Sequence, residues 1–598
     1  MNPETKVCQN CKENFLIASE DFSYYEKMQV PAPTFCPQCR LLRRLVAYSK
    51  RVLYKRKCDL CGESKFSMYH PDSPYKIYCN ECWWSDKWDS ASYARDYDFS
   101  RPFFVQFKEL LDQVPWMGLG VHSPTIINSP YANCATELRN CYLTFFADFV
   151  EDSYYCDFIH HSKDCFDSYI VQGERMYESV NMTKCSNASY CVDCDDSYNI
   201  GLSKNLVGCS DCFGCVNLRK KQYCIFNEQY SKEDYAKKIA ELNIGSRKSL
   251  RELEKKFLEL CAGFPVKYMH GRRNVDFTGD YTENSKNSAY VFDSENVEDS
   301  KYCLTTYMQP TRACYDYCFY GNNATQLYEC LKSGGDANNL KFSNGCFPAV
   351  RNLTYCSYVI TSSDCFGCVG MRSKQYCILN KQYTKEEYEA LVSKIIEQMT
   401  AMPYVNAAGH TYKYGEFFPT EFTPFSYNET IAQEFFPLTK DAAIKDGYEW
   451  RDGEDKKYVI SKLSEAVPDS MAQVNDSILS EVIGCAHAGP PAGGCNHLCT
   501  KAFKIVPQEL SFHKTANVPL PILCPNCRFA GRLTKRNPLK LWKRDCLCAG
   551  ATSAKGGYKN QSIHPHGETS CPNSFETSYS PDRPEIVYCE QCYQSEVT

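Results

Sequence analysis

Cysteine pairs recur with the same spacing at both ends of the chain, and this pattern constrains the fold most. Near the start, four Cys-x2-Cys pairs are separated by 24, 18 and 17 residues. Near the end, four further cysteine groups are separated by 24, 18 and 40 residues. Four thiolates must meet on a tetrahedron with bonds of about 2.3 Å to hold zinc, and a Cys-x2-Cys turn supplies two of them. The sequence therefore predicts two metal sites in a module at each end.

We expect four structural Zn²⁺ ions, each held by four sulfurs that leave no position open for water. The two sites of a module can be formed by consecutive cysteine pairs or by a cross-braced arrangement, and both stay open. In the second copy, Cys571, His564 or His566 is an alternative ligand because two of the cysteines are only two residues apart. The predicted ligands are Cys8, Cys11, Cys36, Cys39, Cys58, Cys61, Cys79, Cys82, Cys495, Cys499, Cys524, Cys527, Cys546, Cys548, Cys589 and Cys592.

The two ends also repeat the text between the cysteines. PAPTFCPQCRLLRRL, residues 31–45, returns as PLPILCPNCRFAGRL, residues 519–533, and SPYKIYCNECWWS returns as RPEIVYCEQCYQS. This is an internal duplication, and it places an insertion of 23 residues in the last loop of the second copy.

The cysteine content indicates a reducing compartment. The chain has 39 cysteines in 598 residues, and it shows no apolar signal region and no apolar stretch long enough to cross a membrane. Disulfides are rare in the cytosol, where paired cysteines more often bind metal. We therefore expect a cytoplasmic protein without membrane contact.

A basic segment lies between the two predicted sites of each module, in residues 40–57 and 528–545. Arginine forks bind phosphate in a bidentate way, and the interleaved aromatic residues can stack on bases, so the segments favour binding of RNA or single-stranded DNA. The predicted nucleic-acid-binding residues are Arg40, Arg43, Arg44, Arg51, Lys55, Arg56, Arg528, Arg532, Lys535, Arg536, Lys543 and Arg544.

Two other interpretations of the basic segments remain. A run of charges is usually a solvated face. The segments can also dock on the middle of the same chain, because residues 1–100 and 485–598 carry net charges of +2 and +5 whereas residues 101–484 carry −12.

The middle of the chain is itself duplicated. SDCFGCVNLRKKQYCIFNEQYSKEDY, from Ser210, returns as SDCFGCVGMRSKQYCILNKQYTKEEY, from Ser363. Short pieces such as EDSYYC and EDSKYC precede each copy, and short β-prone units between turn residues indicate coils of a β-solenoid. We expect its cysteines to be small apolar residues of the interior, although metal binding by some of them stays open. Capping patterns predict helices after Ser231, Ser249 and Thr384.

The predicted fold is mainly β and multi-domain, with duplicated zinc-ribbon modules at both ends flanking a duplicated Cys/Tyr-rich β-solenoid with short helical caps. A connector rich in Phe and Pro should lie extended over the solenoid. The predicted units are 1–100 (two-site zinc-ribbon module), 101–230 (solenoid half 1), 231–275 (helical cap and bridge), 276–383 (solenoid half 2), 384–404 (capping helix), 405–484 (connector) and 485–598 (second module).

Catalytic motifs are scarce. The chain has no HExxH and no Walker-type phosphate loop. His566 and Glu568, followed by Cys589, are similar to a zinc deaminase pattern, but the proline expected before the cysteine pair is missing. His70 is the one candidate for the catalytic histidine of an HNH-type nuclease. We therefore expect a protein that is not an enzyme, with a zinc-dependent nuclease as a minor alternative.

The segment CQNCKENFLIASEDFSYYEKMQVPAPTFCPQCRLLRR resembles the bacterial "probable zinc-ribbon" family over about 40 residues at each end. The resemblance implies metal ligands and no activity. The whole chain resembles long Cys-rich zinc-ribbon proteins of small-genome bacteria, including its YGEFFPTEFTPFSYNETIAQEFFPLTK segment.

The leading functional hypothesis is a zinc-binding, non-catalytic protein that binds nucleic acid through the basic segments. The alternative is a scaffold for a protein partner, built on the solenoid. The sequence does not indicate an oligomeric state.

Overall fold

The computed structural model describes residues 2–453, 458–487, 498–554 and 556–597. The expected mainly β, multi-sheet class is confirmed. Four units are defined by their sheets: an N-terminal module (residues 2–119), a first coil stack (126–229), a second coil stack (271–382) and a C-terminal module (483–597).

The first coil stack is one sheet of eleven short strands. Asp157 pairs in parallel with Phe145 and Tyr169, twelve residues before and after it. The chain therefore completes one coil about every twelve residues. The strands are Ile126–Ile127, Tyr131–Arg139, Tyr142–Glu151, Asp157–Lys163, Tyr169–Tyr177, Val180–Ser189, Val192–Asp195, Tyr198–Gly201, Ser210–Phe213, Gln222–Ile225 and Glu228–Gln229.

The turns of these coils have a period of three residues. From Cys134 to Ile170, every third residue has a positive φ, and the residue after each one is buried. A left-handed residue redirects the backbone, so each coil has four corners and three-residue sides. Asn and Asp tolerate this conformation best, and they form ladders between coils, as in the 2.9 Å hydrogen bond from Asn140 to Asp152.

The interior of a coil with such short sides favours small or slender side chains. It is filled mainly by Ala, Cys, Val and Leu, together with buried serines such as Ser153 and Ser168. The Ser153 hydroxyl donates to the Glu151 carbonyl at 2.8 Å and accepts from the Cys165 N–H at 3.1 Å, so this buried hydroxyl is satisfied. The Cys156 thiol donates to the Cys165 carbonyl at 3.4 Å.

The thiols of the coils thus behave as interior packing groups, as expected. Burial raises the pKa of Cys165 to about 12, so its thiol stays protonated at neutral pH. None of the metal-compatible clusters found among the described residues includes a cysteine of either coil stack.

The second coil stack repeats the parallel pairing in a sheet of thirteen strands. Six of them form a closed ring because strand Lys286–Glu295 turns a corner and pairs with Val297–Glu298 on one side and Leu304 on another. The strands are Gly271–Arg272, Val275–Glu283, Lys286–Glu295, Val297–Glu298, Leu304–Tyr307, Thr311–Arg312, Tyr315–Gly321, Ala324–Gly334, Ala337–Lys341, Arg351–Thr354, Ser363–Phe366, Gln375–Ile378 and Lys381–Gln382.

Each stack ends in an antiparallel hairpin followed by a helix, Lys232–Glu241 or Lys385–Ala401. The predicted capping box at Thr384 is confirmed, because its hydroxyl accepts from the Glu387 N–H at 3.2 Å and the Glu387 carboxylate accepts from the Thr384 N–H at 3.0 Å. The predicted cap at Ser249 is wrong. Helix Arg247–Ala262 begins three residues earlier, where the Ser246 hydroxyl accepts from the Ser249 N–H.

Residues 101–125 differ from the expected boundary. Helix Phe103–Gln113 packs its Phe103 ring 5.3 Å from Phe366 of the second stack, and strand Trp116–Met117 pairs with Ile77–Tyr78 of the N-terminal module. The module's other strands are Glu4–Val7, Asn14–Ile17, Tyr54–Lys57 and Ser64–Ser67, and its other helices are Ser19–Lys27, Pro37–Leu45 and Asn80–Trp84.

The connector covers the second stack as expected, but it is not wholly extended. Phe417 and Phe425 are buried in a core shared with the N-terminal module and the second stack. Its strands are Tyr404–Val405 and Thr411–Tyr412, and its α-helices are Ile431–Phe435 and Lys440–Lys445. The C-terminal module contains helices Pro507–Ala516, Pro525–Leu533 and Glu590–Val597, and strands Ile483–Gly484, Ala502–Phe503, Trp542–Asp545, Cys548–Ala549, Thr552–Ser553, Ser574–Thr577 and Ile586–Tyr588, the last paired with Pro265–Lys267.

The three-residue period predicts which substitutions destabilise a coil. Ile159→Ala leaves a void at a fully buried interior position, so the free energy of unfolding should fall by about 2–5 kcal/mol. His161→Asn changes an exposed corner residue two positions away to one that tolerates its positive φ, so it should shift the free energy of unfolding by less than about 0.5 kcal/mol. Denaturant unfolding followed by circular dichroism measures both. Equal effects of the two changes would contradict the assignment of inward positions.

Candidate metal centres and arginine clamps

The N-terminal module brings its eight predicted ligands into two groups of four. The sulfur atoms of Cys8, Cys11, Cys36 and Cys39 all lie within 4.8 Å of one another, and so do those of the second group, Cys58, Cys61, Cys79 and Cys82. Consecutive pairs therefore share a site, and the cross-braced alternative is excluded. These distances suit a single metal ion at each group.

Both groups are built in the same way. The first pair sits on a hairpin turn, and the second pair begins a helix, as Cys36 does at the N-cap of Pro37–Leu45. The backbone N–H of Cys36 donates to the Cys8 sulfur at 3.2 Å, and that of Cys79 donates to the Cys58 sulfur at 3.2 Å. Burial acts to raise the pKa of Cys58, but N–H groups of Cys61 and Cys79 lower it to about 7, which favours the thiolate that a metal needs.

The C-terminal module also forms two groups of four cysteines, with two changes from the prediction. Cys485 joins Cys499, Cys524 and Cys527, and Cys571 joins Cys546, Cys589 and Cys592. Cys495 lies outside the described residues. Cys548 is not a member of the second group, and its place is taken by Cys571, one of the alternative ligands that the spacing left open.

Insertions inside the cysteine turns explain the irregular spacing. The Cys524 N–H donates to Cys485 at 3.2 Å and the Cys589 N–H donates to Cys546 at 3.2 Å, which repeats the pattern of Cys36 and Cys79. Cys485 and Cys546 thus correspond to the first cysteine of each turn, and residues 486–498 and 547–570 separate them from the second. The predicted position of the insertion, in the last loop after Cys548, is wrong. The added residues lie between Cys546 and Cys571; the spacing misled because Cys548 stands close to Cys546 but does not belong to the four-cysteine group.

The predicted phosphate-binding arginines of the N-terminal module lie in the interior instead. Arg40 and Arg44 are 1% and 0% exposed, and both bind Asp316 of the second stack, at 2.9 and 3.1 Å. Arg43 binds Glu329 at 2.8 Å and Glu416 of the connector at 3.0 Å. Burial acts to lower the pKa of Arg44, but Cys318, Asp316 and Glu329 raise it above its ordinary value, so the guanidinium stays charged.

The same module also reaches the first stack. Lys50 and Arg51 each lie 3.0 Å from a carboxylate oxygen of Asp157, whose side chain is fully buried. One basic segment therefore holds both stacks.

The C-terminal module binds in the reverse order. Arg528 and Arg532 pair with Asp167 of the first stack, and Arg532 also reaches Glu178 at 3.0 Å. Arg536 then pairs with Asp293 of the second stack. The prediction that the arginines of both modules contact phosphate is wrong, because carboxylates of the same chain pair with them at buried positions or, for Arg51, at a mostly buried one. It fails for Arg40, Arg43, Arg44, Arg51, Arg528, Arg532 and Arg536.

The carboxylates that receive the two modules are themselves repeats. Asp167 lies in Cys-Phe-Asp and Asp316 in Cys-Tyr-Asp, while Glu178 and Glu329 each follow a tyrosine in MYES and LYEC. Each stack thus presents the same acid pair to the arginine helix of a different module. Docking of the basic segments on the acidic middle, one of the sequence-based alternatives, is what the contacts show.

The remaining basic residues are exposed, lie near a carboxylate or bind a backbone carbonyl. Lys55 and Lys543 are exposed on their hairpins. Arg56 pairs with Asp59, Lys535 lies near Glu178, and Arg544 donates to the Ser580 carbonyl. His70, the nuclease candidate, accepts from the Asp72 N–H and belongs to none of the metal-compatible clusters of the described residues.

A cleft that the sequence did not indicate opens where both stacks, helix Arg247–Ala262 and the C-terminal module meet. Its volume is about 1020 Å³. His270 lines it, with Nδ1 3.0 Å from Asp280 and Nε2 3.2 Å from the Tyr579 hydroxyl. Burial acts to lower the pKa of His270, but Asp280 and Asp193 raise it. Because the residues that line the cleft are distant in sequence, no local motif predicts it.

None of the helices in the described ranges is both long and apolar enough to cross a membrane. Comparison of the chain with protein-family models, curated proteins and solved structures found no match. The zinc-ribbon resemblance therefore stays a prediction.

Metal content tests the four cysteine groups. Cys36→Ser and Cys524→Ser each remove one ligand, so each variant should lose one bound divalent ion per chain relative to the wild type, as measured by elemental analysis. Cys156→Ser changes a coil thiol in an interior that already includes buried serines such as Ser153 and Ser168, and it should leave the metal count unchanged. Loss of an ion in the Cys156 variant would contradict the assignment.

Removal of a buried carboxylate charge tests the arginine–carboxylate contacts that hold each module on the stacks, here called the arginine clamps. Asp316→Asn leaves Arg40 and Arg44 buried without their main counter-charge, so the free energy of unfolding should fall by about 3–5 kcal/mol. Asp276→Asn, at an exposed position of the same stack, should change it by less than about 0.5 kcal/mol. Denaturant titration measures both, and a neutral Asp316 variant would show that the pair does not hold the module.

Proposed function

We propose that the protein is a non-catalytic scaffold in which two β-solenoids, locked together by structural zinc modules, bind a polypeptide partner in the cleft between them. The zinc assignment is supported by the donor set, since four converging thiols that leave no position for water are typical of structural zinc. A reducing compartment, the cytoplasm, is part of the proposal because the described cysteines are free thiols.

The solenoid assignment is supported by the parallel pairing at steps of about twelve residues in both stacks. Solenoids bind partners on extended surfaces that stacking creates. Their ends need capping, and here a hairpin and a helix follow the last coil of each stack.

The cleft is the observation that indicates what class of partner the protein binds. Large concave sites with converging polar groups are the usual binding sites of proteins. Charges of both signs line this one, so a polyanion would meet repulsion along it, whereas a polypeptide with mixed side chains can match it. The charged lining residues include Asp193, Asp195, Lys204, Arg219, Arg272, Glu283 and Glu295.

An apolar contact is also present at the cleft. Leu258 of helix Arg247–Ala262 lines the cleft and is 60% exposed, and the neighbouring Phe257, which also lines it, is 7% exposed. Leu258 thus offers an apolar contact beside the charged lining, which a polypeptide with mixed side chains can use.

Site-specific crosslinking tests the proposal. A photo-crosslinking residue, p-benzoylphenylalanine, replaces Leu258 in cells, and the matched control replaces Val405, which is 56% exposed outside the cleft. We expect a defined polypeptide adduct at position 258 that survives nuclease treatment and is missing at position 405. Equal labelling at both positions, or no adduct at either, would contradict binding in the cleft.

A second candidate is nucleic-acid binding, because lysines remain exposed on the hairpin of each module or just before it. Lys55, Lys57, Lys540 and Lys543 project into solvent, unlike the buried arginines. Affinity for single-stranded RNA, measured by fluorescence anisotropy, should fall steeply with salt, and the combined change Lys55→Glu, Lys57→Glu and Lys543→Glu should flatten that dependence. Binding that is insensitive to salt would discard this candidate.

A further inference from the structure

The insertion between Cys546 and Cys571 carries metal-ligating side chains of its own. Residues 547–570, here called the insertion loop, contain Cys548, His564 and His566. Their ligand atoms and the sulfur of Cys592 all lie within 4.8 Å of one another. Cys592 is also one of the four cysteines of the neighbouring group, so the two clusters share a sulfur.

His564 is held as a metal ligand would be. Its Nε2 lies 2.9 Å from Glu596, and its side chain is fully buried. Its Nδ1 is buried and has no hydrogen-bond partner within the described structure. A buried imidazole nitrogen without a partner is costly, and a carboxylate on the opposite nitrogen is the usual arrangement around a metal-binding histidine.

His566 has the complementary orientation. Its Nδ1 lies 2.7 Å from the Thr569 carbonyl, which requires a proton on that nitrogen. The unprotonated Nε2 then faces Cys592 at 3.4 Å. The ring centroids of His564 and His566 lie 5.5 Å apart, and one nitrogen of each ring lies within 4.8 Å of the other ligand atoms.

Cys548 completes the set. It is buried and begins the first strand of the hairpin formed by Cys548–Ala549 and Thr552–Ser553. Its sulfur accepts a hydrogen bond from the Asn560 amide at 3.3 Å. Two sulfurs and two imidazole nitrogens form a donor set typical of structural Zn²⁺.

We propose that the insertion loop forms a fifth metal site, with Cys548, His564, His566 and Cys592 as ligands of a borderline-soft divalent ion such as Zn²⁺. Cys592 bridges this ion and the one held by Cys546, Cys571 and Cys589, which makes the pair a binuclear centre. The second ion also lowers the net negative charge that five buried thiolates would otherwise concentrate in one place. This inference does not depend on the proposed partner binding.

The bridge gives the insertion loop a structural role. Cys592 belongs to helix Glu590–Val597, whose Tyr593 and Gln594 line the cleft. The fifth ion therefore ties the loop to the helix that forms one wall of the cleft. The N-terminal module has no comparable loop, because only two residues separate Cys58 from Cys61.

Metal counting on the intact protein tests the site. Native mass spectrometry of the zinc-loaded full chain should give five ions per chain. His564→Ala and His566→Ala should each give four, while His161→Ala, an exposed histidine of the first coil stack, should retain five. Cobalt replacement adds a second measurement, since the absorption bands of a site with two nitrogens differ from those of a four-sulfur site and should vanish only in the two loop variants.

The wild-type count remains decisive even if a variant folds poorly. Four ions in the wild type, with cobalt bands of four-sulfur sites alone, would overturn the proposal. The proposal also fails if the loop variants keep the wild-type count and spectrum. Loss of one ion in the loop variants, with the nitrogen-containing cobalt bands lost at the same time, supports the shared-sulfur centre.

Discussion

The buried pairing of arginine with carboxylate holds the four units of this protein together. Charges removed from water are stable only when each meets an opposite charge in good geometry. Arg40 and Arg44 meet Asp316 of the second stack, whereas Arg528 and Arg532 meet Asp167 of the first. Each module then reaches the other stack, and the guanidinium of Arg51 lies 3.6 Å from the ring centroid of Phe529, so the two modules also meet each other. The stacks are thereby crosslinked twice.

This arrangement gives a reason for the position of a cysteine group at the start of each arginine-bearing helix. A salt bridge of this kind tolerates little displacement, so the helix that carries the arginines needs a fixed start. Cys36 supplies it at the N-cap of Pro37–Leu45, and Cys524 does the same for Pro525–Leu533. A metal held by these cysteines would fix the start of each arginine-bearing helix. The coil interior meets the same demand for rigidity by different means, with hydrogen-bonded serines and slender apolar side chains in place of ions.

The two copies of the duplicated module differ in the length of their cysteine turns. The N-terminal module keeps short cysteine turns, whereas both turns of the C-terminal module contain insertions, one of which brings Cys548, His564 and His566 beside Cys592. The two modules share the clamp but differ in their loops. The cleft lies beside the C-terminal module, which is where added loops can change a binding surface.

Features that local chemistry specifies could be predicted from the residues alone: the ligands of the N-terminal module from cysteine spacing, the duplicated stacks from repeated text, and a helix start from the capping box at Thr384. The three-residue period of inward positions was missed, because mixed Cys, Ser, Val and Ala form no obvious hydrophobic pattern. The role of the basic segments depended on the fold. A segment whose arginines bind phosphate and one whose arginines pair with distant carboxylates have the same local composition, and Arg40 pairs with a carboxylate nearly three hundred residues away. The replacement of Cys548 by Cys571 depended on it too, because a metal selects sulfurs by their positions in space and not by their distance along the chain. The cleft arises from separate segments, and its shape exists only once buried ion pairs have set their relative positions.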